Sequence, residues 1–545
     1  MAIHMPVNVA RIPDATPPRE VQIVDYRDGQ LLWATQNGDN TEHVNRLKSE
    51  EIVFILKRPE SDGYLVYSLT EASDDKESDD AKPRFQVSVL FAAQLPEEPL
   101  AEFLLDVIPA HLRSDGRNQL LDVIVSTRSG TGQAPAFYEG VLHPLLEALG
   151  LREQRLGLAE QADQFGDGEA AGGGTDGYSY RYRLTVTKSS TTVRDFARGL
   201  AGTGSAEVNG NARNGAKPAS PNRAIVLLSG DGGVIDLLNG IDQSVSGKDT
   251  PVPTVAVLPL GTGNALFHSL HKPLYTAQGA SHLILGLRTL FRGIPSPLPT
   301  FRASFSPGSR LVSSAELATD SNTNGPSVKT NGNTEANGAN SHTNGNSPHP
   351  EIDHLLGTIV ASYGFHASLV WESDTPAYRA HGSKRFGMAA AELLKLSHAY
   401  SAKVEVRHRN SSTFIPLRKN KKFNYVLATM MSNLEKTFTI SPESKPLDGK
   451  LRLVHFGDVG GERTMEVMMA AYKEGSHVRM RWGEDGEGVG YEEVEEVKVT
   501  IEEKDERWRK VCVDGTIVEV GKGGWMKVEK EEGERLKILV GRRVL

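Results

Sequence analysis

Asp231 stands at the apex of a glycine turn, Ser229-Gly230-Asp231-Gly232-Gly233, and a second turn follows at Gly261-Thr262-Gly263-Asn264. Glycines at such places permit positive φ and let backbone N–H groups approach an anion closely. A carboxylate between two such turns is the equipment of phosphoryl transfer: N–H groups for phosphate oxygens and a base for the attacking hydroxyl. A third loop of small residues, Ser126 to Gly132, offers Ser129, Gly130 and Thr131 to the same task.

Each turn needs a rigid support. Ala224-Ile225-Val226-Leu227-Leu228 is continuously apolar, as a strand covered on both faces is. Thr254 to Leu260 and Leu120 to Val125 read the same way, and each empties into one of the turns. Val234, Ile235, Leu237 and Leu238 then predict a short buried helix ending at Asn239-Gly240. Ala265 to Leu270 opens another helix, and Ala136 to Leu149 has helical periodicity. A helix N-terminus behind a turn adds partial positive charge to an anion site. One GDGG among 54 glycines would read as a hairpin or surface loop; two turns behind buried strands read as a phosphate site. No G-x-x-x-x-G-K-[ST] segment is present, which excludes a P-loop, and no G-x-G-x-x-G turn follows the first strand.

At these residues the chain resembles the diacylglycerol kinase-like lipid kinases, and within them the branch of sphingosine and ceramide kinases. The motifs are Ser229-Gly230-Asp231-Gly232 with Asp236 and Asn239-Gly240, then Leu258-Pro259-Leu260-Gly261-Thr262-Gly263-Asn264-Ala265. Further on come Ser362-Tyr363-Gly364-Phe365, Glu372-Ser373-Asp374, Tyr378-Arg379, Arg385-Phe386 and Val513-Asp514-Gly515. The likeness runs over residues 118–530 in the family's order. There are departures. The family's Asn-Pro in the first loop is Ser126-Thr127, its glutamate is Asp236, and the residue after Asp514-Gly515 is Thr516. Sphingosine kinases carry aspartates where this chain has Ser368 and Val370, and an apolar Val370 cannot pair with an ammonium group.

The resemblance implies ATP and Mg²⁺ as cofactors, with Asp231 as the catalytic base. It places Ser129, Gly130, Thr131, Gly230, Gly232, Gly233, Gly261, Thr262, Gly263, Asn264, Arg379, Arg385, Asp514 and Gly515 around the nucleotide. Guanidinium groups suit phosphate oxygens. Leu266, Phe365, Ser368 and Val370 are expected at the lipid, in an apolar pocket between domains. Asp231 and Asp514 are candidates to approach the metal, whose full ligand set the sequence leaves unknown. The expected activity is an ATP-dependent lipid kinase, sphingosine kinase-like, acting on a hydroxyl of a sphingoid base, ceramide or diacylglycerol. Two alternatives stand beside it: a small-molecule kinase of the NAD kinase type, and a degenerate, non-catalytic lipid-binding module.

The implied fold is α/β with two domains, a nucleotide-binding α/β domain and a C-terminal β-sandwich, preceded by a small β-rich, pleckstrin-like module. The expected divisions are residues 20–112 for that module, 118–290 for the catalytic domain, 314–350 for an insert and 351–545 for the β-sandwich. The insert is dominated by Asn, Gly, Ser and Thr and should be disordered. A chain of 545 residues has room for these cores, and a net charge of −8 argues against a dedicated nucleic-acid binder. The single Cys512 allows no internal disulfide and points to a reducing compartment. No apolar run reaches ~18 residues and no signal peptide is evident. The expectation is a cytoplasmic protein that visits the membrane surface reversibly to meet its lipid, with homodimerisation left open.

Overall fold

The computed structural model describes residues 19–21, 23–36, 42–58, 63–72, 84–130, 132–154, 180–202, 221–241, 251–312, 351–382, 384–417, 422–482 and 486–545. The expected insert 314–350 and Thr131 lie outside these residues.

The apolar runs form the predicted parallel strands: Gln119–Val125, Asn222–Ser229 and Thr254–Pro259 lie side by side in a seven-stranded sheet. Strand Tyr180–Val186 flanks Gln119–Val125 on its other side, with Leu151–Glu153 beyond it. After Gln119–Val125 the chain therefore places two strands to one side and then two to the other. That reversal is a switch point, where the loops leaving the strands' carboxyl ends separate and open a crevice. All three loops singled out above leave those ends.

The second large unit is a thirteen-stranded antiparallel sheet. Tyr400–Arg407 joins its halves, pairing with Lys422–Thr429 at its start and with Glu496–Ile501 along its length. Residues of both halves share one apolar core, which continues to Ile225, Leu227 and Leu237 of the first unit. The sheet takes in Phe301–Phe305 and Arg310–Val312, which precede residue 351. It gives up Lys537–Val540, which pairs in the parallel sheet beside Thr254–Pro259 and against Ile294–Pro297. The expected division at residue 351 thus gives way to one near Phe301, with the last strand crossing back. These short strands are apolar enough for either sheet, and only non-local pairing decides between them.

The N-terminal residues form a four-stranded and a three-stranded sheet, then helix Glu97–Phe103. The four-stranded sheet is not a separate bead. Phe54 meets Phe291 edge-on at 5.0 Å and Phe85 meets Phe137 at 5.1 Å, inside one core shared with the parallel sheet.

Candidate active site

The three loops lock together through their backbones. A Cβ on Gly261 would lie 2.3 Å from the Gly230 Cα, and one on Gly130 would lie 2.5 Å from the Leu260 carbonyl oxygen. Only glycine allows this approach. Gly130 also has φ of 56°, in the left-handed region. The Ser129 hydroxyl bridges the switch point, 2.8 Å from Ser126 Oγ and 3.2 Å from Ser229 Oγ. Gly233 is buried and would meet the Ser229 side chain, so Ser229 and Gly233 fit as a pair.

Asp231 begins helix Asp231–Gly240 but its carboxylate caps a different helix. Its oxygens accept the Ala265 N–H at 2.8 Å and the Leu266 N–H at 3.0 Å, the first residues of helix Ala265–His271. The acid therefore couples the first glycine turn to the second. Burial raises its pKa above the ordinary aspartate value, partly opposed by those two N–H groups.

Asn264 is placed differently from the expected phosphate donor. It adopts φ of 52°, which asparagine tolerates. Its amide accepts the Gly261 N–H at 3.0 Å and donates to the carbonyls of Gly261 at 2.9 Å and Pro259 at 3.3 Å. The side chain is spent on shaping the loop. The Gly261 N–H is spent with it, and the Gly233 N–H goes to the Gly230 carbonyl. Among the described residues the N–H groups of Gly232, Thr262 and Gly263 have no partner, and Gly232 and Thr262 are exposed. These are among the donors left for an anion.

Asp514 arrives from the other unit. Strands Lys510–Val513 and Thr516–Glu519 pair with Val513 opposite Thr516, leaving Asp514-Gly515 as a two-residue hairpin turn with φ of 47° and 87°. Asp-Gly is the preferred composition of that turn. The Asp514 carboxylate accepts backbone N–H groups from Thr358 at 2.6 Å, Ile359 at 3.1 Å and Val360. Burial nonetheless pushes its pKa up to about 7, and the negative charge of Asp231 adds to the rise. The charge of Asp231 is thus felt at Asp514, at the seam of the two units.

A second device closes that seam. The Asn239 amide donates to the Leu356 carbonyl at 2.8 Å and accepts the Leu356 N–H at 2.9 Å, as a neighbouring strand would. Gly240 beside it allows helix Thr192–Gly202 to pass, since a Cβ there would lie 2.5 Å from Ala197 Cβ. Asp236 turns to that helix and pairs with Arg194 at 3.0 Å. The sequence motif contained Asn239, but its bridging role had no signal of its own, because its partner is backbone.

The two arginines are engaged by Asp374. Arg379 makes a two-pronged contact with Asp374, at 2.9 and 2.6 Å, and Arg385 reaches the same carboxylate at 3.2 Å while lying over the Phe386 ring. The expected lipid-pocket residues are packed instead. Leu266 and Phe365 are buried in the shared core. Ser368 is buried with its hydroxyl accepting from Tyr400 at 2.9 Å, and Val370 packs on a small cluster with Ala367, Trp371, Cys512 and Ile517. None of the four lines the large cavity of the described residues, which lies elsewhere. Cys512 is fully buried, and burial pushes its thiol up to about 12, so it is inert.

Residues 181–291 match the family model of the diacylglycerol kinase catalytic domain. The matched stretch includes Asp231, both glycine turns and the helices behind them, and it supports a kinase. No curated protein matches the chain. Two solved structures from Bacillus anthracis str. Sterne, described as diacylglycerol kinases (one of them provisionally), are similar to it. They are 13% and 11% identical with TM-scores of 0.43 and 0.40, each match covering 78% of this chain and 98% of the other.

Proposed function

We propose that the protein is an ATP-dependent lipid kinase that phosphorylates a hydroxyl of a sphingoid base, ceramide or diacylglycerol, with a sphingosine kinase-like nucleotide wall. The observation that carries this reading is the position of Asp231, pinned by two N–H groups at the junction of two interlocked glycine turns.

Each Asp231 oxygen accepts one N–H and keeps a lone pair for a proton. A carboxylate with a raised pKa is a stronger base toward the lipid hydroxyl than a free one. Gly232, Thr262 and Gly263 offer free N–H groups for phosphate oxygens, and the N-terminus of helix Asp231–Gly240 adds positive potential. Asp231 and Asp514 are hard oxygen donors of the kind Mg²⁺ takes, and Mg²⁺ is commonly held by one or two carboxylates together with substrate phosphates. Bound there, the ion would neutralise charge on the phosphates. In this reading Arg379 and Arg385 leave Asp374 for the nucleotide, and the lipid is met at a membrane surface. Val370, packed against Trp371 and Cys512, offers no counter-charge to an amine, which favours a neutral head group.

Purified protein with labelled ATP, Mg²⁺ and separate sphingosine, ceramide, diacylglycerol and NAD tests the proposal. Label on a lipid supports it. Label on NAD alone, or on nothing, overturns it.

A further inference from the structure

A cavity of about 1000 Å³ opens away from the glycine turns, where the N-terminal module, helix His282–Arg292 and the segment Gly541 to Arg543 meet. Its wall holds five arginines, at 113, 288, 292, 542 and 543, against two glutamates, Glu50 and Glu102. In a chain of net charge −8 this is a local reversal of sign.

Three of the arginines are explained by the fold. Arg288 donates to the carbonyls of Ser49 and Ile52 and lies over the Phe103 ring, so it ties the module to the helix. Arg113 donates to the Ile108 carbonyl at 2.6 Å, and Arg543 stands 3.9 Å from Glu102. Arg292 and Arg542 make no hydrogen bond or ion pair among the described residues, and Arg292 is half-buried. Arg292 ends its helix, where a cation is favoured by the dipole, but that explains one charge and not the cluster. Glu102 pairs with Arg543 and also acts on Arg288 and Arg292, with Glu50 acting on Arg288 and Asp106 on Arg292; five guanidinium groups against these three acids leave an excess of positive charge. His111 does not add to it, because burial lowers its pKa to about 4 against the opposing pull of the Leu290 carbonyl at 2.7 Å, leaving it neutral at neutral pH.

We propose that this cavity binds a ligand carrying clustered phosphate groups, taken either as the head group of an anionic phospholipid or as a free polyphosphate. Unpartnered guanidinium groups in a concave wall give phosphate oxygens paired donors. The site sits on the helix whose Gly286 packs against Pro259, at the root of the second glycine turn. It is separate from the Asp231 site and stands whether or not the kinase reading does.

The test uses the full chain and two probes, inositol trisphosphate in solution and phosphatidylcholine vesicles with or without phosphatidylinositol bisphosphate. Calorimetry and co-sedimentation should show binding that weakens with salt. The pair Arg292→Gln and Arg542→Gln should weaken it by roughly tenfold or more, as loss of charged hydrogen bonds does. Arg463→Gln, on the distant helix Gly460–Ala471, should not change it. Binding of the soluble probe alone assigns a free polyphosphate; binding of bisphosphate vesicles as well assigns the lipid. Hydrogen exchange on the unsubstituted protein needs no variant: the trisphosphate should slow exchange around residues 101–113 and 288–293. Failure of both probes to bind, binding indifferent to the paired substitution, or unaltered exchange there overturns the proposal.

Discussion

The glycine-turn wall and the arm from Asp374 to Phe386 are built on opposite principles. In the wall, shape is held mainly by backbone contacts: Gly130, Gly230 and Gly261 touch main chain, Asn264 and Asp231 bond to it, and the Ser129 hydroxyl joins those of Ser126 and Ser229. In the arm, shape is held by long side chains: Arg379 and Arg385 share Asp374, with Arg379 half-exposed. The first cannot be altered by one atom without moving its neighbour. The second can exchange partners at small cost. Reaction type, in the proposed reading, resides in the rigid part, and the nucleotide grip in the part able to rearrange.

The sharpest way to break the comparison is Gly261→Ala. Its new Cβ would sit 2.3 Å from Gly230 Cα and 2.8 Å from Asn264 Oδ1, so the turns must separate. Kinase turnover should fall by roughly a hundredfold, the effect of about an ångström of misplacement. Gly232→Ala meets open space and should leave the backbone as it is. Comparable loss in both variants would show that the interlock is not what matters.

Asn239→Ala comes next. It strands the N–H and carbonyl of Leu356 at the seam, and stability should drop by ~2 kcal/mol, read by urea unfolding. The acid pair follows. Asp514 holds its proton more tightly folded, at about 7, than at its ordinary 3.8. Its contribution to stability is therefore complete below about pH 4 and is lost as pH rises through about 7. Between those values the slope attributable to it approaches ~1.4 kcal/mol per pH unit, and melting of Asp514→Asn against pH should lack that slope. Smallest is Arg379→Gln: an exposed pair with Asp374 should cost under ~1 kcal/mol of stability, while the KM for ATP rises. An unchanged KM would leave Arg379 an ordinary surface residue.

The wall was largely legible in the sequence, because short continuous apolar runs such as Ala224 to Leu228, closed by glycines, read as buried strands. The Asp514-Gly515 pair entered only as a family motif, although Asp-Gly is the composition such a hairpin turn prefers. What the sequence concealed is carried by backbone or by distance. The N–H groups of residues 358–360 that hold Asp514 have no side-chain signature. Strand Lys537–Val540 returns to the parallel sheet by a pairing with Thr254 and Val255 far away in the chain. Asn264 looked like a ligand donor because its type suits one, and only its left-handed backbone shows where the amide goes. Leu266 and Phe365 looked like pocket residues because an apolar side chain reads alike in a core and in a lipid site.

The most direct test of the central claim is the rate of γ-phosphate transfer from labelled ATP to the preferred lipid by Asp231→Asn beside the unsubstituted protein. Loss of a positioned base predicts a fall in kcat of roughly 10²–10⁴-fold, with a melting shift no larger than loss of a helix cap gives, ~1 kcal/mol. Transfer that persists near the unsubstituted rate in a folded Asp231→Asn protein would contradict the account.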